Sequence, residues 1–258
     1  FFFKQKTAYE IGILSPAVTH GWVAGVTQHA EKRAQELEDE VEYRILTSTN
    51  AEEMTQQLDD LKTWGAQAIV GFPQWEGMEV PIQQAMDEGI IVVNFDIVID
   101  AEGVYRVAGD NESMGRAGAE YIVDKIGDEG TVVILDVPTS GSVAELRKKG
   151  FLEVIEEIAP DMELIERATK FTREDGLKDF SDILARFDHI DAVFSMDDET
   201  SIGVLQAIAE AGRDDIKVIT GGGGMQDYFR MMPENEDIWI ASATYSPDMV
   251  EDAVDTAL

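Results

Sequence analysis

The hydrophobic rhythm of this chain limits its possible folds more than any other feature. Short apolar runs rich in β-branched residues alternate with longer segments whose apolar residues recur every three or four positions. The first half reads as strand 11–14, helix 22–38, strand 43–46, a helix capped at Asn50, strand 68–72, helix 78–87, strand 90–95 and short strand 104–108. Val23, Val26, Ala30, Ala34 and Leu37 share one helical face, and Met54, Leu58, Leu61 and Trp64 another. Asn50 followed by Glu53 is a capping-box pattern. After an amphipathic helix that starts near Asn111, the second half repeats the pattern. Its strands are 131–136, 163–165, 192–196, 216–220 and 238–244, and its helices are 143–158, 174–186, 200–211 and one opening at Pro247. This alternation implies parallel sheets covered on both faces. Two runs of similar length point to two doubly wound lobes rather than one very wide sheet.

The expected organisation is an amino-terminal lobe of residues 12–108 plus 244–258 and a carboxyl-terminal lobe of residues 109–243. Residues 104–109 form the first crossing and the chain returns near 243–244. Residues 1–11 (FFFKQKTAYEI) lack the rhythm, and residues 4–11 read like a translated sequencing-library adapter. They are set aside from the fold as an artefact, which leaves the lack of a signal peptide uninformative. The chain is also expected to be truncated inside its last helix.

Composition removes several classes of function. With 52 acidic and 20 basic residues the net charge is −32, and such a surface repels phosphate backbones, so nucleic acid is not an expected partner. The carboxylates are spread along most helices, as on a solvated surface in a saline habitat. Without cysteine there is no disulfide, thiol nucleophile or thiolate metal site. His20, His29 and His189 have no zinc-ligand spacing. Neither G-x-S-x-G nor H-E-x-x-H occurs, and the glycine run 221–224 lacks the Lys-Ser/Thr of a phosphate loop. No catalytic residue, metal or cofactor is expected.

In open α/β sheets ligands lie beyond the carboxyl ends of the strands. The residues found there are 15–22 (SPAVTHGW), 73–75 (PQW), Asp96, 138–142 (PTSGS), Phe171, 196–199 (MDDE), 221–224 (GGGG) and Tyr245. Aromatic rings, amides and carboxylates dominate, a lining suited to a neutral polyhydroxylated ligand. An unpaired carboxylate buried at Asp96 would be costly. Asp96 is therefore either a ligand contact or a turn residue.

The order of four segments resembles the sugar-binding proteins of ABC importers, the type I periplasmic binding proteins and their ribose binders. These are Asp96 after the fourth strand, Asp110-Asn111 after a short strand, R-x-x-G-F at 147–151, and Asp197-Asp198-Glu199 at a strand end. The resemblance implies two doubly wound parallel-sheet lobes joined by a multi-strand hinge and closing around a monosaccharide or polyol. It further implies an ABC permease as partner, with a chemoreceptor as an optional one, a monomer, and a periplasmic or lipid-anchored location. Carried over residue by residue, it marks His20, Trp22, Trp75, Asp96, Asn111, Arg147, Phe171, Asp197, Gly222, Gly223 and Tyr245 as ligand contacts. The chain departs from the family at Ile97, where ribose binders often have arginine, and at Asp197, where the family has asparagine. It departs again at Gly222-Gly223, in place of an aromatic and an aspartate, and at Tyr245, in place of glutamine. Asp198 and Glu199 are read as favouring the following helix through its dipole. A ligand-sensing domain of a lactose-repressor-type regulator, and a sugar-acting enzyme on the same fold, are the alternative readings.

Overall fold

The computed structural model describes residues 8–18 and 21–258, so His20 lies outside the described residues. The chain divides into two compact units, one ending at Gly109 and completed by Pro247–Leu258, the other running from Asp110 to Ser246.

The first unit contains β1 (Tyr9–Pro16), α1 (Gly21–Glu36), β2 (Val41–Ser48), α2 (Ala51–Trp64), β3 (Ala68–Gly71), α3 (Glu79–Asp87), β4 (Ile91–Phe95) and β5 (Tyr105–Val107). All five strands are parallel, in the order β2-β1-β3-β4-β5. Alternate residues face opposite ways along a strand. Ile11, Ile13, Val70, Phe72, Val93 and Phe95 thus face α1, while Leu14, Ile69 and Val92 face α2 and α3. The segment set aside from the fold contributes its last three residues to the first sheet. Tyr9, Glu10 and Ile11 open β1 and pair in register with Val41, Glu42 and Tyr43, because the parallel ladder extends wherever β2 offers a partner. The short strand expected at 104–108 is the edge strand β5 alongside β4, two residues before the first unit ends at Gly109.

The second unit contains α4 (Asn111–Ile126), β6 (Thr131–Asp136), α5 (Ser142–Ile158), β7 (Glu163–Ala168), α6 (Arg173–Leu184), β8 (Ala192–Ser195), α7 (Asp198–Ala211), β9 (Val218–Ile219), α8 (Gln226–Met231) and β10 (Trp239–Ile240). Its strand order, β10-β9-β8-β6-β7, repeats that of the first sheet. α4 and α5 cover one face through Ala119, Ile122, Phe151 and Val154, and α6 to α8 cover the other through Phe180, Ile183, Val204 and Tyr228. The chain then returns to the first unit as α9 (Met249–Thr256), whose Val250, Ala253 and Val254 join the apolar face shared by α1 and the first sheet.

In each unit the first strand sits between the second and third, so successive connections leave it on opposite faces. Backbones splay apart at such a switch point, and the residues at the strand carboxyl ends there have room for a ligand.

Candidate functional site

In the first unit β4 is followed by Asp96, 4% exposed and the only non-glycine residue with positive φ (66°) among the described residues. The Ile97 N–H closes a three-residue turn onto the Phe95 carbonyl at 2.9 Å, and positive φ at its centre makes it the rarer, strained γ form. A left-handed conformation in a residue with a Cβ costs on the order of 1 kcal/mol or more and persists where neighbours enforce it. Here the Asp96 N–H donates to Val107 at 2.9 Å. Its carbonyl accepts Nε (3.1 Å) and Nη2 (2.6 Å) of Arg106. The Asn94 carboxamide, buried on β4, donates to the Ile97 carbonyl. Beside this turn the half-buried Trp22 stacks on Phe95 (centroids 6.1 Å, 14° between planes) and meets Phe72 edge-on at 5.8 Å. Trp22 and Asp96 therefore share one corner of the sheet. Trp75 does not join them. It packs against the cluster of α2 and α3 on the opposite face.

In the second unit three candidates converge. Asn111, the first residue of α4, is 2% exposed and Arg147 of α5 is 6% exposed. Arg147 Nε donates to Asn111 Oδ1 at 2.8 Å, and its Nη1 to the Met196 carbonyl beyond β8 at 2.6 Å. Asn111 Nδ2 donates to the Tyr245 hydroxyl at 3.1 Å, while the guanidinium lies 5.0 Å from the Tyr245 ring centre, within cation–π range. Two elements and two strand ends thus meet around one buried cation. A cavity of about 180 Å³ opens beside it, lined by Met114, Tyr121, Phe194, Thr220 and Ser242. Phe171 is half-buried and packs against the α4–α5 cluster.

Asp197 takes the helix-capping role assigned from sequence to its neighbours. Its carboxylate accepts the Glu199 N–H at 3.0 Å and the Thr200 N–H at 3.3 Å, as Asp does at an N-cap. Burial pushes this carboxyl up to about 7, against the opposing pull of Thr200 and Arg147. Asp198, 2% exposed, instead ties loops together. Its Oδ2 accepts the Met225 N–H (2.7 Å) and the Ser242 hydroxyl (2.9 Å), and its own N–H donates to Gly222 at 2.9 Å. Burial raises its pKa also.

The glycine run has structural reasons. A Cβ at Gly221 would lie 2.4 Å from Asp198 Oδ1, and one at Gly222 would lie 2.7 Å from the Met196 carbonyl. Gly223 and Gly224 have φ of 118° and 78°. Packing at Gly222 and backbone conformation at Gly223 are each sufficient reason for glycine. Sequence alone does not point to Arg106 or Asn94, nor to the loop-tying role of Asp198. Only the β4–β5 register, which sets Arg106 beside Asn94, reveals the first two.

A family model described as "Periplasmic binding protein domain" matches residues 11–258. The chain is 27% identical over 162 residues to the D-allose-binding periplasmic protein of Escherichia coli, covering 59% of this chain and 52% of that protein, so it spans about half that relative's length. It is 29% identical over 263 residues to the galactofuranose-binding protein YtfQ of the same species, covering 95% of this chain and 80% of that one. A solved galactofuranose binding protein superposes with a TM-score of 0.86 at 26% identity, over 96% of this chain and 87% of the other. With the repeated strand order, the strained aspartate after β4 and the family match across nearly its whole length, the chain belongs to the periplasmic binding proteins.

Proposed function

We propose that this protein is the solute-capturing component of an ABC importer and takes a small polyhydroxylated cargo, a monosaccharide or polyol, without chemical conversion. The observation that carries this reading is the family match over residues 11–258. The geometry supports it. In the first unit Asp96 directly follows Phe95, on which Trp22 stacks, and a carboxylate and an aromatic ring suit the hydroxyls and the apolar C–H face of a sugar. In the second, Arg147, Asn111 and Tyr245 offer a dense set of donors and acceptors. The names of the relatives put D-allose and galactofuranose at the head of the ligand panel. The proposed partner is a membrane permease, and the proposed location is outside the cytoplasmic membrane.

A thermal-shift screen tests the reading directly, with D-allose, D-galactose, D-ribose and glycerol as probes. A cargo present at a hundred times its dissociation constant stabilises the fold by about 2.7 kcal/mol, a clear rise in midpoint. Asp96→Ala should abolish that rise while leaving the unliganded midpoint close to wild type. A flat panel from folded protein argues against a sugar cargo. A shift that survives in Asp96→Ala removes Asp96 from the site.

A further inference from the structure

We propose that Arg106 is a positioning residue for Asp96, holding the strained turn after β4 in the one conformation that presents its carboxylate. The inference rests on the solute-binding reading above. Register pairing sets Arg106 of β5 opposite Asn94 of β4, and its guanidinium reaches two residues further along β4 to the Asp96 carbonyl. Two N–H groups converge there on one oxygen, at 3.1 and 2.6 Å. A planar guanidinium fork can do this, whereas an ammonium offers only a single point charge.

The use is telling in this chain. Among 52 acidic residues, Arg106 is spent on a backbone carbonyl rather than on a carboxylate. That carbonyl belongs to the only non-glycine residue with positive φ among the described residues. Positive φ turns the Asp96 peptide away from ordinary strand geometry. The backbone bonds from Asp96 to Val107 and from Ile97 to Phe95 hold the two amide groups, and Arg106 holds the carbonyl between them. Its task here is to fix the backbone, and it acts on the cargo through Asp96.

The test uses Arg106→Gln and Arg106→Lys in the full chain, with two readouts. The first is the dissociation constant for whichever of D-allose, D-galactose, D-ribose or glycerol stabilises wild type most. The second, needing no cargo, is amide hydrogen exchange at Asp96 and Ile97. Arg106→Gln should weaken binding at least tenfold and speed exchange several-fold at those two amides, with the rest of the first unit and the thermal midpoint unchanged. Arg106→Lys should fall between it and wild type, and serves alone should the glutamine variant fold poorly. Unaltered exchange overturns the proposal, and if affinity is lost at the same time Arg106 touches the cargo itself. Faster exchange with unaltered affinity overturns it too, because the hold then has no bearing on binding. If wild type binds none of the four probes, the sugar reading fails separately, and the exchange data still decide whether Arg106 holds the turn.

Discussion

Among single residues, Asp197 stands apart. Its carboxyl, whose ordinary value is 3.8, is pushed up to about 7 by burial. Between those values the folded state holds a proton that the unfolded chain has released. This contribution to stability is complete below about pH 4 and fades as the pH rises through 7. Stability should therefore decline with rising pH over that window, and less steeply in Asp197→Asn, which keeps the cap because asparagine caps as well as aspartate. Urea unfolding at pH 4.5, 6 and 7.5 measures it, and identical slopes in the two proteins would refute the shift. The family resemblance singled out Asp96, Asn111, Arg147 and Tyr245, and the last three meet in the second unit. It did not show that Asp197 would cap α7, nor that Gly222 answers to the Met196 carbonyl. Those roles depend on which atoms approach from elements distant in sequence.

At the scale of elements, periodicity located every strand and every α-helix except α8 among the described residues, with boundaries off by a few residues. α8 spans six residues and its anchor is one fully buried Tyr228, too little to generate a period. The last strand, expected over 238–244, forms a ladder at Trp239–Ile240 and one isolated bridge between Ala243 and Gly222. Beyond it the chain follows the glycine run through single bonds, Ala243 to Gly221 and Gly223 to Ala243. The capping box at Asn50 forms by half. Asn50 Oδ1 accepts the Glu53 N–H at 2.9 Å, while Glu53 reaches the Thr49 N–H at 2.6 Å instead of that of Asn50. α4 and α5 approach backbone to backbone, which no hydrophobic pattern announces. A Cβ at Gly115 would lie 1.8 Å from the Arg147 carbonyl, and one at Gly150 would lie 2.0 Å from that of Glu112. Gly115→Ala should destabilise the protein by about 1–3 kcal/mol despite alanine's better helix propensity, because overpacking against backbone cannot relax. Gly118→Ala should cost less, since its nearest neighbour is the ring edge of Phe194 at 2.6 Å, a side chain that can shift. Denaturant unfolding of both variants ranks them, and the reverse order would contradict this account.

For the whole molecule, charge decides the response to salt. The surface ion pairs, such as Arg33 with Asp255 and Lys149 with Glu112, are solvent-exposed, contribute little each and weaken on screening. The excess of 52 acidic over 20 basic residues leaves repulsion that outweighs them. Raising sodium chloride from about 0.05 to 1 M shortens the screening length from over 10 Å to about 3 Å and should raise the thermal midpoint. A fall would mean that the ion pairs dominate.

The division of the chain has a consequence for its synthesis. The second unit is one uninterrupted stretch, Asp110–Ser246, whereas the first needs Pro247–Leu258 to be whole. On the ribosome the first five strands emerge early, but the apolar face formed by Val93, Phe95 and α1 stays uncovered until Val250 and Val254 arrive. The later-made half can therefore complete its core first. The earlier-made half waits for it with a sticky face exposed, and is the part of the nascent chain most in need of a chaperone.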